Sequence, residues 1–185
     1  MLSIIKQRLG RDDDEQGFTL IELMVVVLII AILLAIAIPT FLGARNAANA
    51  RAAQSDLRNA DTAEQTYWTN NQTWDTALTD TQGVTAIETA LSWTTSPVAA
   101  GNNINVAADA GNNGVVLTAA GKDNHCYSMD VIDQPVAGAE SAGTYYYDSG
   151  LQKTPLLCGA PTTLPSGAIT TASASKAAGT WALNW

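Results

Sequence analysis

The chain has 185 residues, with 9 Lys and Arg against 17 Asp and Glu, one His, and a formal net charge of −8. Such acidity opposes nucleic-acid binding by bulk electrostatics, and no local basic patch interrupts it. The single histidine limits acid–base chemistry, and there is no Ser/His/Asp arrangement, phosphate loop or clustered set of metal ligands, so no enzyme, cofactor or metal is expected.

Residues 1–17 are polar, with Lys6, Arg8 and Arg11 followed by the acidic run Asp12-Asp13-Asp14-Glu15. An ordinary secretory signal places its apolar stretch of 7–15 residues ahead of a small-residue cut site. Here the apolar run follows Gly17 and is too long for that role. The basic residues favour a cytoplasmic N-terminus, because acidic residues count little for orientation.

From Phe18 to Ile38 run 21 residues with one charge, Glu22. At about 1.5 Å per helical residue this stretch reaches about 31 Å, enough to cross a bilayer core. A carboxylate at mid-bilayer costs roughly 2.5–3.5 kcal/mol, and less near an interface. By length and hydropathy alone the segment also suits an uncleaved single-span anchor, with Glu22 snorkelling to the interface.

The string Gly-Phe-Thr-Leu-Ile-Glu at residues 17–22, heading this apolar run, resembles the class III leader and methylation motif of type IV pilins and their pseudopilin relatives. The resemblance implies removal of a cytoplasmic leader, residues 1–17, by a membrane aspartic prepilin peptidase cutting between Gly17 and Phe18, and N-methylation of Phe18. It implies an α+β type IV pilin fold, in which a long N-terminal helix, transmembrane in its first half (18–39), packs an amphipathic second half (40–69) against an antiparallel sheet. It also implies a homopolymer built by an inner-membrane platform and motor ATPases. Removing the leader leaves 6 Lys and Arg against 13 Asp and Glu, a net charge of −7.

The cut would place a new amine on Phe18, one helical turn from Glu22. Facing each other in the membrane, the two lower the cost of holding either. In a filament the family pairs the amine with Glu22 of a neighbour. At about 4 Å and an effective dielectric near 20, such a pair is worth roughly 4 kcal/mol before desolvation, enough to set register but not to hold a fibre.

Pro39 lies at the end of the apolar run, where it removes a backbone donor and loosens or kinks a helix. The family commonly has a glycine earlier in this stretch, where this chain carries Ala31. From Thr40 to about Thr69 the sequence is alanine-rich, with Ala53, Leu57, Ala60, Ala63 and Tyr67 at helical spacing. Arg51, Arg58, Asp61 and Glu64 are expected on the other faces, and Asn70-Asn71-Gln72 ends the helix.

Residues 70–185 shift to Thr, Gly, Asn, Ala and Ser, as expected of an extracellular globular head. Strands are expected at Gly114–Thr118, His125–Ile132 and Gly143–Tyr147, as a meander over the helix, with a short helix at Val84–Trp93. Cys126 and Cys158, the only cysteines, are expected to pair in a translocated domain, closing the loop 126–158 for roughly 3 kcal/mol or more. His125 has no spaced partner and reads as a strand residue. Asn71-Gln72-Thr73 is a glycosylation sequon, and residues 162–180 are rich enough in Ser and Thr to carry O-linked sugar. Asp148-Ser149-Gly150 reads as an ordinary turn, with a calcium loop as the other reading.

These features point to a structural subunit, a major type IV pilin serving adhesion, motility or uptake. It would begin as a single-pass precursor in the cytoplasmic membrane and end as a surface filament. The alternatives are a major pseudopilin of a type II secretion system, or a monomeric membrane-anchored binding module using Trp74, Trp93, Trp181 and Trp185.

Overall fold

A computed structural model describes residues 17–109, 114–133, 142–152, 157–161 and 181–182. Helix α1 runs without a break from Leu20 to Asn71, 52 residues, and passes through Pro39. The chain forms two compact units, one ending at Gly43 and one beginning at Ala44, and α1 contributes to both.

In the first unit every described residue is exposed. No described side chain covers the apolar run, whose hydropathy and length suit a membrane span. Thr40 Oγ1 donates to the carbonyls of Ala37 at 2.9 Å and Ile36 at 3.2 Å. These back-bonds sit beside the point where Pro39 leaves the helical ladder without an N–H.

In the second unit, α1 buries Ala53, Leu57, Ala60, Ala63 and Tyr67, the apolar stripe read from the sequence. Glu64, expected on a polar face, is also fully buried. Its position explains this: Leu57, Ala60, Glu64 and Tyr67 follow the 3-4-3 spacing of a single helix face, and geometry overrides residue type. The helix ends through Gln72, whose φ of 54° is left-handed and whose N–H donates to Trp68 O at 2.7 Å. Asn71 Nδ2 donates to Tyr67 O at 3.0 Å, satisfying another terminal carbonyl.

The remaining elements are α2 (Val84–Ile87), β1 (Ser92–Thr94), β2 (Asn103–Ala108), β3 (Gly114–Ala120), β4 (His125–Ile132), β5 (Gly143–Leu151) and β6 (Trp181–Ala182). Among the described residues six strands form one sheet in sequence order, parallel between β1 and β2 and antiparallel elsewhere. The expected meander is its centre, β3-β4-β5, with β3 and β5 longer than predicted. The architecture is α+β and consistent with the pilin fold.

Alternation decides which side chains meet the helix. Ile104, Val106, Val115, Leu117, Ala119, Tyr127, Met129 and Val131 pack with Ala53, Leu57 and Ala60 in the main core. Val116, Ile132 and Tyr145 form a second cluster on the opposite sheet face. Every residue of β3 is therefore buried.

The expected Val84–Trp93 helix shrinks to the four residues of α2. Glu88 already has extended backbone, and Trp93 lies in β1, where its Nε1 donates to Glu88 O at 3.0 Å. The parallel pairing of Ser92, Trp93 and Thr94 with Asn103, Ile104 and Asn105 outweighs the weak helical spacing of this segment.

Candidate assembly site

The first turn of α1 is closed by a reciprocal capping box. Thr19 Oγ1 accepts the N–H of Glu22 at 3.2 Å. Glu22 Oε2 in turn accepts the N–H and the hydroxyl of Thr19, each at 2.8 Å. Two donors at the start of an apolar helix are thus satisfied by neighbouring side chains, which matters wherever water is scarce. The Thr-x-x-Glu spacing ahead of an apolar run is the sequence signal for this box, and it adds Thr19 to the residues expected from the sequence.

Both bonds fall on Oε2, and a carboxylate offers lone pairs on each oxygen. The geometry therefore lets Glu22 hold its own helix start and still accept a further donor. Phe18, just ahead, is 90% exposed. Gly17 is also exposed, with nothing within 4 Å of the place a Cβ would occupy. The bond between Gly17 and Phe18 is open to an approaching group.

On either side of Glu22 the helix presents Ile21, Leu23, Met24, Val25, Val27, Leu28 and Ala31 around one stretch of surface. Burying one large aliphatic side chain is worth roughly 1.5–3 kcal/mol. A run of this length cannot rest in water; it requires lipid or other helices around it. Ala31 and Pro39 both lie within the unbroken helix.

The remaining sequence-predicted residues lie in the head. Cys126 and Cys158 form a disulfide with a Cα–Cα distance of 5.5 Å. Cys158 also pairs with Val98 by two backbone hydrogen bonds, at 2.7 and 2.8 Å. Asn105 extends the seam: its Nδ2 donates to Ser96 O and its Oδ1 accepts the N–H of Ala160, both at 3.0 Å. This seam joins segments far apart in sequence around the Cys158 end of the bridge.

Asn71 is exposed at the last position of α1, with its amide nitrogen engaged by Tyr67 O. The residues 162–180 lie outside the described residues, as does the leader up to Gln16. Asp148-Ser149-Gly150 belongs to β5 and not to a free turn. The register shifts there between His125 and Tyr127, with Gly150 at a φ of 71°. Asp148 Oδ1 meets His125 Nδ1 at 2.8 Å and accepts the N–H of Gly150 at 2.9 Å. His125 starts β4 and stacks on Tyr127, with ring centroids 5.9 Å apart.

Of the tryptophans proposed as a binding surface, Trp74 and Trp93 are half-buried and pack against the main core. Trp181 falls in β6, and Trp185 lies outside the described residues. Trp74 also meets Trp68, with centroids 6.0 Å apart. The two described rings serve mainly as packing.

No curated protein and no solved structure matches the chain. A family model for the prokaryotic N-terminal methylation motif matches residues 13–38, from the acidic leader to the end of the apolar run. The chain thus carries the prokaryotic N-terminal methylation motif, the class III leader of type IV pilins and pseudopilins.

Proposed function

We propose that this chain is a structural subunit, the major pilin, of a type IV pilus. The observation that carries the reading is the exposed apolar segment in which Phe18 and Thr19 lead into α1 and Glu22 sits in its first turn, within the matched motif. Prepilin peptidase cuts between Gly17 and Phe18, and Phe18 is N-methylated. The mature chain waits in the cytoplasmic membrane as a single-pass protein. An inner-membrane platform and motor ATPases then extract it into a helical homopolymer.

In that polymer the apolar faces of neighbouring helices cover one another, replacing lipid. The amine of Phe18 in one subunit meets Glu22 of the next, with Glu22 keeping its bonds to Thr19 on one oxygen. Pro39 marks the stretch where the helix adjusts on assembly. The heads, each tied by Cys126–Cys158, form the surface that serves adhesion, motility or uptake, and Asn71 is the exposed candidate for glycosylation. No catalytic role is assigned to the chain.

The test is intact mass and N-terminal sequencing of material sheared from cells. The expected species begins at methylated Phe18, is lighter by two hydrogens for the disulfide, and is abundant in fibres. Chain found only in membranes and still starting at Met1 would overturn the proposal. Loss of exoprotein secretion on deletion, with no surface fibres, would reassign the chain as a type II secretion pseudopilin.

A further inference from the structure

Glu64 is 0% exposed. Its Oε2 accepts the N–H of Asp75 at 3.1 Å, and Asp75 Oδ2 accepts the N–H of Val84 at 3.1 Å. The Oε1 of Glu64 is buried with no hydrogen-bond partner. A third bond runs from the hydroxyl of Tyr67 to Asp80 Oδ2, at 3.1 Å. The segment 75–84 is thus held to α1 by two hydrogen bonds, Asp75 N–H to Glu64 and Tyr67 hydroxyl to Asp80, and closed on itself by a third from Val84 N–H to Asp75, each with a carboxyl oxygen as acceptor. Beneath it Val84 packs on Ala63 and Tyr67, with Leu78 at the edge.

The groups facing Glu64 are all acidic: Asp75 from the segment, Asp61 and the Tyr67 hydroxyl from its own helix, and Asp80 behind Tyr67. Among the described residues the recorded ion pair is His125–Asp148, so no cation is paired with Glu64. An ionised Glu64 would put a second buried negative charge beside Asp75, with one oxygen unsatisfied, and desolvation makes that costly. A neutral carboxyl removes the charge and keeps Oε2 as the acceptor for Asp75.

We propose that Glu64 is a proton-operated latch: neutral, it holds residues 75–84 of the head against α1, and ionised, it repels Asp75 and releases them. Burial, the largest influence, pushes the Glu64 carboxyl up to about 7; the Asp75 N–H opposes the rise, and the charges of Asp75 and Asp61 add to it. The latch therefore works across neutral pH. Release would uncover Val84 and Leu78, so the surface the head displays after Trp74 depends on the acidity around it.

The experiment is amide hydrogen exchange by NMR on the full chain in detergent micelles, at matched intrinsic exchange rates. Between about pH 6 and pH 8, protection at Asp75 and Val84 should fall about tenfold or more relative to Leu117 in β3. In Glu64→Gln, which keeps the acceptor and cannot ionise, the fall should be absent. A flat wild-type profile, or the same fall in the variant, would overturn the proposal. Should the variant not fold, the wild-type Glu64 side-chain carboxyl ¹³C signal decides: titration near neutrality, in step with the Asp75 amide, supports the latch, and titration near the ordinary value of 4.5 refutes it.

Discussion

Glu22 and Thr19 are reciprocal partners: the threonine hydroxyl accepts the Glu22 N–H at 3.2 Å, and Glu22 Oε2 accepts two donors from Thr19 at 2.8 Å each. The one carboxylate of the apolar run is therefore structural within its own helix before any neighbour arrives. The two roles separate by substitution. Glu22→Val removes the charge a neighbouring amine would meet, and should leave membrane insertion intact while abolishing or crippling assembly. Fractionation together with the yield of sheared filament measures both. Normal filament yield would refute the role of Glu22.

Thr19→Ala removes the hydroxyl but leaves Glu22 and the Thr19 backbone N–H bond possible. Losing such a cap costs roughly 0.5–2 kcal/mol of helix stability. The expected result is reduced filament yield with insertion retained, a milder defect than that of Glu22→Val. Equal severity in the two variants would show that the capping box, not the charge, is what assembly needs.

The head should lose stability as pH rises. Glu64 has an ordinary value of 4.5 and about 7 in the fold, and burial raises Asp61 in the same direction. Between those values the folded chain holds a proton that the unfolded chain has released. The stabilisation is complete below about pH 4.5 and is lost as pH climbs towards about 7, by at most about 3 kcal/mol for Glu64. Urea unfolding at several pH values reads this slope, and a midpoint rising from about pH 5 to about pH 7 would contradict it.

Gly83 sits where a Cβ would collide with Asp75 Oδ2 and lie 3.0 Å from Asp80 O. Gly83→Ala must displace the Asp75 carboxylate that accepts the Val84 N–H. Overpacking of this kind costs about 1–3 kcal/mol. Thermal unfolding of the variant should show that loss, and an unchanged melting temperature would mean that the contact yields freely.

Reducing or replacing the Cys126–Cys158 bridge frees a loop of 33 residues, counting both cysteines. Its entropic contribution is roughly 3–4 kcal/mol. Cys126→Ser with Cys158→Ser should lower the urea midpoint of the head while leaving the helix before Ala44 inserted in membranes. The Val98–Cys158 pairing has no other covalent support and should open first, visible as accelerated exchange at those two amides.

Much of this protein is legible from local pattern. The apolar run, Glu22 near its head and Gly17 before it declare the membrane segment, because length and charge there act without tertiary help. The stripe Ala53, Leu57, Ala60, Ala63 and Tyr67 marks the buried helix face through 3.6-residue periodicity, and β4 matched its predicted bounds at His125–Ile132. Periodicity says nothing about what a polar residue meets once it lies on the buried face, so residue type alone puts Glu64 on a polar face and only the fold sets Asp75 against it. Nor does it reveal short strands that form only by pairing: Asn103 and Asn105 disguise β2, β1 forms against β2, and β6 forms against β5, more than thirty residues before it. The Thr-x-x-Glu box was present in the letters throughout. The burial of Glu64 and the seam of Val98, Asn105, Cys158 and Ala160 depended on long-range contacts, which only the folded chain brings within hydrogen-bonding distance.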